Sequence, residues 1–207
     1  MLNTQDWINI FKKIADEVET SKDHLNELDG AIGDGDHGVG MSIGFRAIRE
    51  TVGKYTGNES LEQLFKELGR VFLSAVGGAI GPLIGTMFMD SGKIFAGKNA
   101  VGVAEFKQMM GAMENAVIRR GKAELGDKTI LDALHPAVES VSEYEGESLS
   151  EVMKIAAKAS GEGAKNTANL ISKRGRSSRL GERTMGHQDA GATSMALIFK
   201  TMSDSVQ

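Results

Sequence analysis

No stretch of this chain alternates apolar and polar residues for long, and runs of valine, isoleucine and threonine are absent, so the period-2 pattern of a half-buried strand is missing. Apolar residues recur at helical spacing instead. Trp7, Ile8, Phe11, Ile14 and Val18 share one face behind Thr4, an expected N-cap, which gives a first helix to about residue 28. A second runs from Met41 to about residue 55, and a third is marked by Leu61, Leu64, Phe65, Leu68 and Phe72. Pro82 suits the first turn of a fourth, which reaches about residue 96. Val103, Phe106, Met109, Met110, Met113 and Val117 make the fifth, with the methionines as core filler. Thr129 and Asp132 read as a capping box opening the sixth, with Pro136 a kink or early-turn residue within it. An alanine-rich seventh runs from Leu149 to about residue 168, and an eighth from about Gly191 to Met202.

Eight helices with short links are expected to pack antiparallel, up and down, as an all-α single-domain barrel or bundle over residues 1–207. That topology sends alternate connections to opposite ends. The second, fourth and sixth are plain: Thr56-Gly57-Asn58, Gly97-Lys98-Asn99 and Glu145-Gly146-Glu147. The unusual sequence falls in the odd set. The first connection holds Asp29-Gly30-Ala31-Ile32-Gly33-Asp34-Gly35-Asp36-His37-Gly38, and the third is Val76-Gly77-Gly78-Ala79-Ile80-Gly81. The fifth spans residues 120–128, and the seventh, about residues 169–190, carries Lys173-Arg174-Gly175-Arg176 and Gly186-His187-Gln188-Asp189. Acid, glycine and base thus converge at one mouth, and long particular loops in a compact fold are more often functional than decorative.

Composition narrows the function classes. With 207 residues, 41% of them hydrophobic, the chain can bury a full core. A net charge of -4 offers no basic footprint for nucleic acid, so a phosphate-bearing partner must be held by local geometry or by metal. The absence of cysteine removes disulfides, thiolate metal sites and cysteine nucleophiles. The N-terminus lacks the basic-then-apolar layout of a signal peptide, and a cytoplasmic location is expected. Residues 71–89 carry no charge and place Gly77, Gly81 and Gly85 at the spacing of a membrane dimer face, but Gly77-Gly78 and Gly81-Pro82 break one continuous helix. Two buried helices joined by a glycine turn fit better than a membrane span.

Carboxylates as close as Asp29, Asp34 and Asp36 repel one another, and hard oxygen ligands suit Mg²⁺ or Ca²⁺; a solvated acidic turn is the alternative. Gly33 to Gly38 matches G-x-G-x-x-G formally, yet it follows a helical pattern instead of a strand. An EF-hand starting at Asp34 fails because its fifth and twelfth positions fall on Gly38 and Phe45. Gly126 is followed by Asp127, so there is no Walker lysine. Glycine turns at helix starts hold phosphate with backbone N–H groups, and phosphate beside three aspartates needs a divalent metal between, which favours Mg²⁺ with a nucleotide. His24 and His135 lie in plain helical context; His37 sits in the acidic loop and is read as a phosphate contact, with helix capping as the simpler alternative. The basic residues of the seventh connection are a solvated run or a cationic lid over phosphate.

Asp29, the run Ile32-Gly33-Asp34-Gly35-Asp36-His37-Gly38, Val76-Gly77-Gly78-Ala79 with Gly81-Pro82, Arg120-Gly121-Lys122-Ala123-Glu124 with Gly126-Asp127-Lys128-Thr129, and Gly181-Glu182-Arg183 with Gly186-His187-Gln188-Asp189 closely resemble the DhaL family. Those are the nucleotide-binding subunits of dihydroxyacetone kinases that draw on the phosphotransferase system. The resemblance implies an eight-helix barrel with ADP or ATP and two Mg²⁺ at one end. It assigns the metal to Asp29, Asp34 and Asp36. It places nucleotide on His37, Gly38, Val39 and Gly40, on Gly78, Ala79 and Ile80, on Gly121, Ile130 and Arg176, and on Asp189, Ala190 and Gly191, with Arg176 and His37 as catalytic candidates. It implies a DhaM-like phosphoryl donor and a DhaK-like subunit that holds dihydroxyacetone; a homodimer is one arrangement left open. Ile80 stands where the family often has serine, and Ala190 where it has proline, which leaves room for a kinase subunit that exchanges ATP or a nucleotide-sensing binding module.

Overall fold

The computed structural model describes residues 1–206 and is all-helical. Eight α-helices follow in order: α1 Thr4–Ile32, α2 His37–Val52, α3 Leu61–Ala75, α4 Ile80–Ile94, α5 Val103–Gly121, α6 Leu131–Ser142, α7 Leu149–Asn166 and α8 Ala190–Asp204. Each packs on its neighbour in sequence, and α8 lies against α1 to close the ring. Two 3₁₀ segments, Thr167–Asn169 and Ser177–Thr184, occupy the seventh connection. The antiparallel order therefore stands, with all odd connections at one end.

The amphipathic stripes bury as their spacing demands. Leu61, Leu64, Phe65, Leu68 and Phe72 of α3 are all fully buried. Edge-on aromatic contacts tie the helices together, with Trp7 and Phe65 at 5.0 Å, Phe11 and Phe88 at 5.4 Å, and Phe65 and Phe95 at 4.9 Å between ring centroids. Among the described residues no helix is long and apolar enough to cross a membrane. The uncharged stretch from 71 to 89 is split by residues 76–79 between α3 and α4. Its Gly85 meets Gly69 across the α3–α4 contact: a Cβ on Gly69 would lie 2.4 Å from the Gly85 carbonyl oxygen. Small residues at that crossing let two backbones touch within the fold.

Helix boundaries depart from expectation where glycine is dense. The N-cap of α1 is Asn3, not Thr4; Asn3 accepts from the Asp6 N–H at 3.0 Å and Asp6 accepts from the Asn3 N–H at 2.8 Å. At its other end α1 runs through Asp29 and Gly30 to Ile32, and α2 begins at His37, so only residues 33–36 lie between them. The Thr129/Asp132 pair is a shifted capping box: Asp132 accepts from the Thr129 N–H at 2.7 Å, while the Thr129 hydroxyl accepts from Leu131 instead of Asp132. Pro136 lies inside α6, past its first turn.

Candidate functional site

Connections one, three, five and seven line one cavity of about 780 Å³ at the mouth, within the range of small-molecule sites. A second depression of about 900 Å³ lies on the outer flank of α3, α4 and α5. Its charges are engaged with one another, as in Arg70 with Glu67 and Lys93 with Asp90, and it holds no carboxylate cluster.

Topology decides what the mouth presents. The even-numbered helices start there, so N–H groups at their first turns, which lack partners within the helix, border the cavity. Neither α2 nor α4 is capped by the side chain of its own N-cap residue, although the Val39 N–H of α2 donates to Asn26 Oδ1 of α1 at 3.1 Å. Gly40 of α2, Ile80 of α4, Ile130 ahead of α6, and Ala190 and Gly191 of α8 all line it. Asp189 caps α8, accepting from the Ala192 N–H at 2.7 Å. The starts of α2 and α4, without a carboxylate cap of their own, are the part of this arrangement suited to anions.

The acidic triad has the opposite character. Asp29 stands in the last turn of α1, where the helix presents unpaired carbonyls, and that turn contains no basic residue. Gly35 adopts a φ of 75° between Asp34 and Asp36, a left-handed turn that folds the loop back on α1, and Asp29 accepts from the Asp36 N–H at 3.0 Å. One carboxylate oxygen from each of Asp29, Asp34 and Asp36 falls within 4.8 Å of the others. Three carboxylates gathered beside a helix C-terminus favour a cation, and hard oxygens of this kind suit Mg²⁺. In this structure the nearest positive charge is Arg176, ion-paired with Asp34.

His37 is turned inward. Its imidazole is 8% exposed and Nε2 lies 2.7 Å from Ser194 Oγ on α8. Burial pulls it down to about 4 against a small opposing effect of Asp29, so the ring is neutral near pH 7. Burial also pushes Asp189 up to about 6, helped by the nearby Asp132 and Asp29 carboxylates and opposed by its bond from Ala192 and by Lys128.

Of the residues singled out from sequence, Asp29, Asp34, Asp36, His37, Val39, Gly40, Gly78, Ala79, Ile80, Gly121, Ile130, Arg176, Asp189, Ala190 and Gly191 all line the cavity. Gly38 does not: it packs against α1, where a Cβ would lie 2.0 Å from the Lys22 carbonyl oxygen. Ser194 and Lys128 also line the cavity and had no role in the sequence reading. Lys128 lies in the run Gly126-Asp127-Lys128-Thr129, which is its one signal in the sequence. Ser194 gave none.

The DAK2 domain model matches residues 31–204. The chain belongs to the DAK2 family. Among curated members it is 39% identical to the ADP-binding subunit DhaL of PEP-dependent dihydroxyacetone kinase 2 from Listeria innocua, over 92% of this chain and 89% of the relative. It is 35% identical to the ADP-binding subunit DhaL of the Escherichia coli PEP-dependent dihydroxyacetone kinase, over 95% of this chain and 94% of the relative. Its fold is similar to that of the C. freundii dihydroxyacetone kinase in complex with AMP-PNP and Mg²⁺, with a TM-score of 0.74, 25% identity and 96% of this chain covered. This DAK2 chain corresponds to 33% of the length of that kinase.

Proposed function

We propose that this DAK2 chain is the nucleotide-binding subunit of a dihydroxyacetone phosphotransferase. Mg-ADP held in the mouth would accept a phosphoryl group from a DhaM-like donor to become Mg-ATP, which would yield its γ-phosphoryl to dihydroxyacetone held by a DhaK-like subunit and return to ADP. The observation that carries this is the meeting of the Asp29, Asp34 and Asp36 carboxylates with the N-termini of α2 and α4, whose N-cap side chains make no capping bond, on one cavity. Anion-binding amides and a cation-demanding triad are complementary only if a metal–phosphate ligand lies between them. Two Mg²⁺ held by the triad would neutralise the β- and γ-phosphates.

The chain's own groups do the remaining work. Amides of α2 and α4 orient the phosphates, with Gly78, Ala79 and Ile80 presenting backbone at the start of α4, where Ile80 offers its N–H in place of a serine hydroxyl. Gly121 and Ile130 border the opposite wall, beside Asp189, Ala190 and Gly191 at the start of α8. Arg176 moves from Asp34 to the transferring phosphoryl group and stabilises its charge. His37, neutral and bonded to Ser194, holds the α2 start against α8 beside the phosphates.

Mass spectrometry of the protein as purified, followed by a transfer assay with DhaK- and DhaM-type partners and a phosphoryl source, tests the proposal. Co-purified ADP and turnover support it, and a chain that neither binds adenine nucleotide nor transfers phosphoryl refutes it. Nucleotide that dialyses away freely would instead identify a subunit that exchanges ATP.

A further inference from the structure

Segment 167–189, which carries Arg174 and Arg176 to the mouth, is held in an unusual way. Its buried residues are Thr167, Ser172 and Thr184, all polar, and no apolar side chain from it joins the core cluster. Hydrophobic burial, which orders the eight helices, contributes almost nothing here. Instead the backbone of the segment turns its carbonyls onto one point. The ammonium of Lys128 donates to the carbonyl oxygens of Thr167 at 2.8 Å, Leu170 at 3.1 Å, Thr184 at 2.7 Å and His187 at 2.6 Å.

Three ammonium protons cannot point at four oxygens in linear bonds, so the cage holds the cation largely by converging carbonyl dipoles. A carbonyl ring of this kind is how proteins replace the hydration shell of a monovalent cation. Lys128 is 1% exposed and adopts a φ of 62°, a conformation easier for glycine, so the position keeps its side chain at a cost in backbone strain. Next to it, Asp127 accepts from Arg174 Nε at 2.9 Å and from the Lys173 N–H through its backbone oxygen at 3.1 Å.

We propose that Lys128 is the positioning residue of the mouth: its ammonium fills a cage built for a monovalent cation and so orders segment 167–189 without one. The segment's order is independent of any ligand; only its consequence for nucleotide rests on the function proposed above.

The segment contains tryptic sites at Lys173, Arg174, Arg176, Arg179 and Arg183, which makes its order measurable. Trypsin is applied to metal-free wild type and to Lys128→Ala, with helix content followed by circular dichroism. In the variant, cleavage at residues 173–183 accelerates about tenfold or more while helix content stays within a few per cent. Methylammonium, which fits the vacated cage, slows cleavage again, and tetramethylammonium, which has no N–H, does not. The dissociation constant of Mg-ADP rises roughly tenfold, in proportion to the lost population of the ordered segment, and recovers with methylammonium. A general loss of stability would not respond to a small ammonium ion. Unchanged cleavage, or acceleration that methylammonium leaves untouched, overturns the proposal.

Should Lys128→Ala not fold, ¹⁵N-lysine NMR of the wild type decides: one slowly exchanging ammonium signal coupled to backbone carbonyls supports the cage, and only fast-exchanging signals overturn it. If wild type itself binds no ADP, the functional reading falls and the trypsin result still stands.

Discussion

Arg176 and Asp34 form an ion pair across the mouth. A side chain from the segment before α8 thus lends positive charge to an acidic loop that follows α1. Both partners are largely exposed, the Arg176 side chain at 70% and that of Asp34 at 38%, so the pair itself adds little stability. Its significance is positional: on the function proposed above, a cation entering the triad would displace Arg176 and free it toward phosphate.

Replacing Asp34 by alanine is therefore expected to leave the fold intact and to weaken Mg-ADP binding by about a hundredfold, since even outer partners of a metal ligand are worth 10- to 100-fold. Isothermal titration with Mg²⁺ present measures this directly. Unchanged affinity would remove the triad from the site.

Metal and nucleotide should each bind poorly alone. Titrating ADP with and without Mg²⁺, then Mg²⁺ with and without ADP, should give the same coupling factor, about 5- to 150-fold in ordinary cases. Equal ADP affinity in Mg²⁺ and in EDTA would contradict a shared site.

Arg176→Lys retains the charge but loses the planar fork that matches a phosphoryl group. We expect phosphoryl transfer with partner subunits to fall by about a hundredfold or more, with the dissociation constant of ADP changed only a few-fold. A normal turnover number would show that Arg176 has no part in transfer.

At the α3–α4 crossing a methyl group has nowhere to go, because a Cβ on Gly85 would lie 2.8 Å from the Gly69 carbonyl oxygen and 2.8 Å from Leu73 Cβ. Gly85→Ala is expected to cost about 3 kcal/mol in urea-induced unfolding, the upper range of overpacking effects. A midpoint equal to wild type would show that the two helices can separate cheaply.

On the outer face of α1, the Arg46 guanidinium and the Ser42 hydroxyl hold the Glu19 carboxyl down to about 2, below its ordinary value of 4.5. A carboxyl depressed in the folded state stabilises it above the unfolded value and loses that contribution as pH falls toward the folded one. Thermal midpoints of wild type and Glu19→Gln should thus differ most above pH 4.5 and converge as pH drops toward 2. A gap that widens on acidification would rule this out.

The helices were legible because each must bury an apolar stripe, and a stripe such as Leu61 to Phe72 leaves a period in the sequence whatever it packs against. Eight such stripes with short links dictate an antiparallel ring, which sends Asp29, Asp34 and Asp36 to the same end as Gly78 and Arg176. Helix ends near the mouth were not legible. Gly30 and Gly38 read as turn residues, yet both are helical: Gly30 lies within α1 itself, and Gly38 packs at the Lys22 carbonyl of α1, a tertiary contact that outweighs the local preference of glycine for turns.

Sequence alone therefore determined the all-helical class, the end at which the unusual loops gather and the residue types they bring, because periodicity, loop length and charge are local properties of the chain. Tertiary structure alone decided that His37 faces Ser194 and not the solvent, that Arg176 lies on Asp34, and that Lys128 stands inside a ring of carbonyls from residues 167 to 187. Contacts like these depend on where distant backbone segments come to rest. No pattern within a helix or loop records the direction in which a neighbour's carbonyl oxygen will point.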